Sequence, residues 1–342
     1  MIEAGGTCTP AGTLTIGDNG SGVLSVSGSL QAQAIILGSM VGGSGQMNIM
    51  PNGTVTYTGR LSAGGTLVNL VVGSLGSATI TIDGGGTLTG KGAGTPPDVI
   101  GRTANVTVSG AWTNVNGIFT AGTLTVSAGG ALNVNCPACY IPSSSLWAFE
   151  LVAGAVSVFG NLTTTGGLIA SGNGTPVVGT LTVGGEGSLN DDSIASFGTV
   201  TLNGNASLKA NTIGVYQGTF AVENSATLIA TSVGVYGTGN LVAETGGVID
   251  ANQFRVSSGI AVVQPGSALT MTNPPPENGQ VIVQGNGSAH PGILTIDGQL
   301  NNAGYVGVFS DGTLTIGNGQ TVTFSAALYG RADLRLNGGR ST

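Results

Sequence analysis

Short runs in which apolar residues alternate with Thr, Ser or Asn recur along the chain, and glycine soon interrupts each run. This period-two alternation is typical of a half-buried β-strand, whose successive side chains point to opposite faces. Stretches rich in the helix formers Glu, Lys, Gln and Leu do not occur in the sequence. The pattern therefore predicts an all-β protein made of many short strands.

The clearest internal repetition lies between Gly179 and Ser258, which divides into consecutive segments of 19, 20, 20 and 21 residues. Apolar residues recur at the same positions of these segments, and Tyr216 and Tyr236 match as well. Each segment is too short to bury its own apolar face, so we expect each to form one turn of a coil with successive turns paired in parallel. The core columns predicted in this way are Leu181, Val200 and Phe220; Val183, Leu202 and Val222; Leu189, Leu208 and Leu228; and Ile194, Ile213 and Val233.

Strands of the same type recur outside this stretch with irregular spacing. We therefore expect a single parallel β-helix, or β-solenoid, over residues 1–342, with about 14 coils of ~20 residues. Three ranges break the pattern and are expected to be loop insertions: 90–101, 136–150 and 272–279. The first carries two adjacent prolines and the last carries three, and proline cannot donate hydrogen bonds to a sheet.

Three phrases of the sequence, Gly12–Leu30, Asn105–Leu132 and Gly179–Leu189, resemble the repeats of autotransporter passenger domains and of other large bacterial surface proteins. The resemblance implies a right-handed parallel β-helix displayed outside a bacterial cell. It also implies a non-catalytic role in adhesion, aggregation or a structural coat. On this basis we expect a cell-surface passenger or a self-associating fibre subunit, with host or surface glycans as further candidate partners.

Composition and charge narrow the range of partners. Among 342 residues there are 63 glycines and 8 basic side chains, and the net charge is −7. Eight cations over this length cannot form the basic stripe that a nucleic-acid binder needs. Glycine, serine or threonine interrupts every apolar run well before the ~18 residues of a membrane helix, so we expect no direct membrane span. The open ends and edges of a solenoid offer unpaired backbone groups, which favours self-association there.

Cysteine and histidine usage favours structural chemistry over catalysis. Cys136 and Cys139 have the spacing of a redox motif, but no helix is readable beside them, so a local structural disulfide is the better interpretation. Cys8 is then left over, either free or bonded between molecules. His290 is the sole histidine, and we expect no metal site, no cofactor and no histidine-based catalytic residue.

A carbohydrate-active β-helix enzyme, either a polysaccharide lyase or a glycosidase, is the alternative hypothesis, because many sugar-cleaving enzymes share this fold class. Such an enzyme needs carboxylates gathered along one groove and aromatic platforms for sugar rings. The candidates in this chain are Asp83, Asp98 and Glu150 as stacked carboxylates and Trp112 and Trp147 as platforms. The adjacent pair Asp191 and Asp192 would point to opposite faces in a strand, and both would face water in a turn. Nothing in the sequence brings them together, so we expect no enzymatic activity.

Overall fold

The computed structural model describes residues 1–61, 67–91, 97–136, 148–170, 179–271, 279–286, 290–301, 303–317, 321–322, 325–328, 333–336 and 340–341. Within these ranges every regular element is a β-strand, and no helix occurs that could cross a membrane. The strands stack in parallel ladders, so the predicted all-β, parallel β-solenoid is confirmed. The right-handed sense of the coil stays a prediction.

The described chain divides into two compact units. Unit 1 comprises Met1–Leu181 and Gly187–Asp192. Its first ladder contains Ser21–Val26, Ser44–Ile49, Ser77–Ile82, Ala104–Val108, Thr123–Val126 and Ala155–Val158. Its second contains Thr7–Cys8, Ser29–Ala32, Thr54–Tyr57, Thr87–Gly90, Ala111–Asn114, Ala131–Asn135 and Asn161–Thr165. Its third contains Thr13–Ile16, Ala34–Leu37, Leu70–Val72, Asp98–Ile100, Ile118–Thr120, Phe149–Leu151 and Leu168–Ala170. A short antiparallel pair joins Arg60–Leu61 to Leu67–Val68.

Unit 2 comprises Thr182–Glu186 and Ser193–Thr342. Its first ladder contains Thr199–Leu202, Thr219–Val222, Asn240–Ala243, Ile260–Val263, Gly292–Ile296, Gly312–Ile316 and Asp333–Leu336. Two faces of each turn are formed by single long strands at first, namely Ser207–Val215, Thr227–Tyr236 and Val248–Ser257. Later in the chain these faces are formed by separate strands, namely Ala268–Met271, Gly279–Gln284, Gln299–Asn301, Ala303–Val308 and Ser325–Leu328. Thr321–Val322 pairs with Arg340–Ser341, and the strands Thr180–Val183 and Ser188–Ser196 are each divided between the units.

The described residues form about 11 turns, slightly fewer than the 14 coils expected. The expectation counted Thr13–Ile16, Thr54–Tyr57 and Ala268–Met271 as strands of separate coils, although they lie on other faces of the turns than the first ladder. Strand residues also occupy part of each range expected to be an insertion, namely Asp98–Ile100, Phe149–Leu151 and the first residue of Gly279–Gln284. Residues 92–96, 137–147 and 272–278 lie outside the described residues. That one continuous solenoid spans 1–342 stays a prediction.

The interior consists of aliphatic columns. All twelve residues assigned to core columns from the repeats are buried, each at 1% exposure or less. Within unit 2, Leu208 lies opposite Leu228 and Ile213 lies opposite Val233 on neighbouring strands, as the repeat alignment implies. Removing such a side chain from water is worth about 1.5–3 kcal/mol, so each buried column residue contributes to the stability of its turn.

The glycine that opens the third repeat, Gly218, is required by the backbone. Gly218, which opens the third segment, has φ of +69°. A Cβ atom at this position would collide with the carbonyl oxygen of Gly198, the leading glycine of the preceding turn. Only glycine combines a positive φ with so close an approach of two turns. The repeat therefore keeps glycine here because the coils touch backbone to backbone.

Candidate functional site

The carboxylates considered for sugar cleavage do not gather in one groove. Asp98 and Glu150 lie on third-ladder strands of unit 1 that are separated by one intervening strand. On that strand Asp98 is opposite Ile118 and Glu150 is opposite Phe119, and neighbouring positions of a strand face opposite sides. Asp83 lies in a partly exposed turn. These three side chains therefore do not form a pair of carboxyl groups facing each other across a cleft.

Of the two aromatic residues considered as platforms for sugars, the structure describes Trp112. The expectation for Trp112 is wrong, because its side chain is fully buried and forms part of the core. Its position is opposite the core residues Leu88 and Leu132 in the second ladder, which explains its burial. Trp147 lies outside the described residues. On the strand Ser188–Ser196, Asp191 is buried and Asp192 is exposed, the alternation expected of neighbours in a strand.

The cysteine and histidine candidates that the structure describes are Cys136, Cys8 and His290. Cys136 is disulfide-bonded, and Cys139, its predicted partner, lies outside the described residues. Cys8 is exposed and its thiol is free. His290 is exposed, and its backbone carbonyl accepts a hydrogen bond of 2.9 Å from the N–H of Asn286. In the part of the chain that the structure describes, no three His, Cys, Asp or Glu side chains are grouped as metal ligands.

A buried polar cluster in unit 1 is centred on Asp98. The carboxylate accepts hydrogen bonds from the hydroxyl of Tyr57, from the N–H of Leu70 at 3.1 Å, and from the side-chain amide of Asn114 at 2.5 Å. The Trp112 indole N–H donates to the Tyr57 hydroxyl at 3.4 Å. The Tyr57, Asp98, Trp112 and Asn114 side chains are fully buried and come from three strands. The N–H of Leu70 adds a fourth strand to the cluster.

Local sequence explains how a tyrosine fits at this corner of the core. Tyr57 lies opposite Gly90 on the next strand of the second ladder. A Cβ atom at Gly90 would lie 2.6 Å from the Tyr57 hydroxyl oxygen, so the absence of a side chain leaves room for the ring. On the strand after that, Asn114 lies opposite Gly90. The column therefore places the Tyr57 hydroxyl and the Asn114 amide where both reach Asp98.

Burial shifts both acidic groups of the cluster toward their protonated forms. Desolvation raises the pKa of Asp98 from 3.8 to about 7, although the hydrogen bonds from Tyr57, Leu70 and Asn114 act to lower it. Desolvation, followed by the charge of Asp98, raises the pKa of the Tyr57 hydroxyl well above its usual 10.0. A carboxyl group with a pKa near 7 has the value of a general acid. Because the Asp98 side chain is fully buried, however, this cluster is part of the core rather than a site open to substrate.

An aromatic ladder on the surface of unit 2 is the most distinctive exterior feature. The rings of Phe197 and Tyr216 stack with centroids 5.0 Å apart and planes 14° from parallel. The rings of Tyr216 and Tyr236 stack at 5.1 Å and 19°. Tyr216 is 40% exposed, and partial desolvation followed by the neighbouring Tyr236 hydroxyl raises its pKa above 10.0. The ladder therefore presents a row of ring edges to solvent, one ring per turn.

Each ring of this ladder that follows a glycine covers that glycine. A Cβ atom at Gly214 would lie 2.6 Å from Cε2 of Tyr216, and one at Gly234 would collide with the ring of Tyr236. The same arrangement recurs further along the unit, where a Cβ atom at Gly307 would lie 2.6 Å from Cε2 of Phe309. A glycine two residues before an aromatic residue is thus the sequence signal for the rings of Tyr216, Tyr236 and Phe309, whereas Ala195 has that position before Phe197.

Two turns interrupt the aromatic column, and we call this interruption the ladder gap, defined by Ser257 and Gln284. Tyr236 lies opposite Ser257, and Ser257 lies opposite Gln284. At these turns the position two residues earlier holds a large side chain, Arg255 or Ile282, in place of glycine. The Gln284 side-chain amide donates to the Ser257 hydroxyl at 3.1 Å. The gap therefore has a polar floor beside the last stacked ring.

The sequence indicated only part of this surface. The repeats aligned Tyr216 with Tyr236, but they did not predict that the rings stack outside the core. The ladder gap and Phe309 were missed, because the turns that carry them differ in length from the regular repeats. A signal was present in the sequence: some turns have glycine two residues before an aromatic residue, whereas others have Arg255 before Ser257 or Ile282 before Gln284.

Comparisons with known proteins leave the function open. No family model matches the chain, and no curated protein matches it. Among solved structures, the chain is similar to the crystal structure of a TibC-catalysed hyper-glycosylated TibA fragment, 55–350, with 14% sequence identity, a TM-score of 0.33, and coverage of 97% of this chain and 99% of that chain. A likeness this weak carries no functional argument, and the fold rests on the parallel ladders described above.

Proposed function

We propose that this chain is a non-catalytic, adhesive or structural β-solenoid exposed on a bacterial surface, where it acts as a passenger-like domain or a self-associating subunit. The supporting observation is an ordered outer column of uncharged polar side chains in unit 1. In unit 1 one column runs in register through Gln31, Thr56, Thr89, Thr113, Asn133, Thr163 and Asn190, all of them at least partly exposed. Hydroxyl and amide groups spaced by about 4.8 Å form a hydrated face without charge.

This kind of face suits contact better than catalysis. Hydrolytic or lyase chemistry needs titratable groups that converge in a cleft, and the candidate carboxylates of this chain are separated or buried. A regular column of small polar groups can instead bind weakly at many points along its length, so that affinity accumulates over an extended surface. The same regularity allows two copies to lie side by side or to add strands at open edges.

The location and the adhesive role can be tested together. Intact cells of the producing bacterium would be labelled with an antibody to the purified chain and treated with protease before or after lysis. We expect labelling and cleavage on intact cells, and binding of chain-coated beads to surfaces that uncoated beads do not bind. Protection from protease until lysis would contradict the proposed location.

Two further measurements address catalysis and assembly. Incubation of the chain with polysaccharides should release no new reducing ends and no unsaturated products, and steady release would support the carbohydrate-active alternative. Size-exclusion chromatography and negative-stain microscopy should show assemblies that grow with concentration. A strictly monomeric particle at high concentration would count against self-association.

A further inference from the structure

Four consecutive turns of unit 1 that lead from the third ladder to the first stack into one corner of the solenoid. The first turn carries Asp18, the second Met40 and Val41, the third Leu75 and the fourth Arg102. This order is that of the strands they join, which pair in sequence in both ladders. Asp18 and Arg102 are therefore three strand spacings apart, about 14 Å along the corner.

The two middle turns expose large apolar side chains. Met40 is 46% exposed, Leu75 is 62% exposed and Val41 is 81% exposed. The turns meet backbone to backbone, since the N–H of Gly76 donates to the carbonyl of Gly38 at 2.9 Å and a Cβ atom at Gly76 would lie 2.5 Å from the Met40 carbonyl oxygen. We call Met40, Val41 and Leu75 the apolar corner. Single exposed apolar residues are ordinary, but adjacent ones rimmed by polar residues mark an interaction surface.

Opposite charges flank the apolar corner. Asp18 is exposed on the turn before it, and its carboxylate accepts a hydrogen bond from the Ser39 hydroxyl, which holds it against the turn of Met40. Arg102 is exposed on the turn after it and is one of only 8 basic residues in the chain. The corner thus reads acid, apolar, apolar, base, and this order is complementary to its own reverse.

A second copy of the chain fits this order in one direction. A two-fold axis through the apolar corner would place Asp18 of each copy opposite Arg102 of the other, and Met40 opposite Leu75. A parallel arrangement would place like charges opposite each other, which costs binding energy. A lipid surface is a poorer match, because interfacial sites combine apolar residues with Trp, Tyr and several basic residues, whereas this rim has one acid and one base.

From this arrangement we propose that the apolar corner packs against the apolar corner of a second copy in antiparallel orientation, with Asp18 and Arg102 paired at both ends of the contact. This inference deepens the proposed self-association by naming its surface and direction, and it rests on that proposal for its biological meaning. Three apolar side chains bury less than the roughly 800 Å² per partner of a stable dimer, so the contact is weak. It gains strength when many copies meet along two surfaces.

The test uses the full purified chain in sedimentation equilibrium at low salt, from micromolar to millimolar concentrations. We expect a monomer–dimer equilibrium, which Leu75→Ser should weaken by about tenfold because it removes apolar surface from the contact. Asp18→Arg and Arg102→Asp should each weaken it by about tenfold, because like charges then face each other at both ends. The variant that combines these two changes should dimerise within about twofold of the unaltered chain, because the exchanged charges attract again.

Matched controls lie outside the corner. Lys91→Asp makes the same change of charge as Arg102→Asp at an exposed position after a strand of the second ladder. Ile229→Ser removes an exposed apolar side chain from unit 2, as Leu75→Ser does from the corner. Both controls should dimerise as the unaltered chain does, and circular dichroism should show that every variant is folded. The charge variants test the corner even if Leu75→Ser does not fold.

Three results would overturn the proposal: a monomer at millimolar concentration, equal losses in the corner and control variants, or a combined charge variant no stronger than its two parents. The first result would also contradict self-association in general. The second and third would leave a dimer standing, so they would remove the apolar corner or its antiparallel direction without contradicting the proposed function. Exposure on the cell surface is measured separately by antibody labelling and protease cleavage.

Discussion

Asp98 should make the stability of the protein depend on pH in a direction unusual for an aspartate. Its pKa is raised from 3.8 to about 7 in the folded state, so the folded protein holds the proton more tightly than the unfolded chain does. The contribution of Asp98 to the free energy of unfolding is therefore largest below pH 4, and it is lost as the pH rises through about 7. At about 1.4 kcal/mol for each pKa unit, a rise from 3.8 to about 7 corresponds to about 4 kcal/mol.

The measurement is guanidinium unfolding between pH 3.5 and 8.5, followed by circular dichroism. The variant Asp98→Asn keeps the shape of the side chain but cannot ionise. It also brings two amide donors together at Asn114, which costs about 1–3 kcal/mol at every pH. We therefore expect the unaltered protein to be the more stable at pH 4 and the variant to equal or exceed it above pH 7.

The control is Asp83→Asn, which changes a partly exposed carboxylate in a turn and should leave the pH profile as it is. Comparing the unaltered protein with Asp98→Asn isolates Asp98, because these two proteins share every other titrating group. If the unaltered protein and Asp98→Asn lose stability in parallel between pH 4 and 7, Asp98 does not carry the buried proton, and the reasoning from its burial is refuted.

Three further substitutions test other parts of the structure. Tyr57→Phe removes the hydroxyl that donates to Asp98 and accepts from the Trp112 N–H, so the free energy of unfolding should fall by about 1–3 kcal/mol. Because that donated hydrogen bond lowers the pKa of Asp98, the pH transition should move upward in the same titration. Gly234→Ala should displace the ring that covers it and cost about 1–3 kcal/mol, and Gly234→Ala combined with Tyr236→Ala should cost less than the two single changes added together. Leu208→Ala should cost about 2–5 kcal/mol by opening a cavity, whereas Ser207→Ala on the outer face should stay within about 0.5 kcal/mol in the same denaturation assay.

The regular repeats could be interpreted from the sequence because two periods coincide there. Side chains alternate every two residues, and the segments repeat every ~20, so Leu208 and Leu228 fall in register without any knowledge of the loops between them. Where the segment length changes, this advantage is lost. Asp98 follows two adjacent prolines and was therefore assigned to an insertion, although a strand begins at that residue.

The buried cluster around Asp98 shows why contacts between distant parts of the chain could not be predicted from the sequence. Tyr57 and Asp98 are 41 residues apart, and Asn114 lies 16 residues beyond Asp98. Their contact depends on how many residues each intervening loop contains, which no local pattern records. A lone aspartate before an apolar residue looks like a turn or a solvated strand end. Only the register of three ladder strands shows that it faces the core.

The aromatic ladder and the ladder gap follow from a single packing rule on the outer face. A turn with glycine at one position can fold an aromatic ring back over that position, and a turn with a large residue there cannot. Arg255 and Ile282 therefore exclude a folded-back ring at the next outward position, where Ser257 and Gln284 stand instead. Exclusion of the ring leaves the face of Tyr236 uncovered by another ring and places a cation beside it. The residue that ends the stacking is thus Arg255, so substitution of Arg255 by glycine and of Ser257 by tyrosine should extend the stack by one ring.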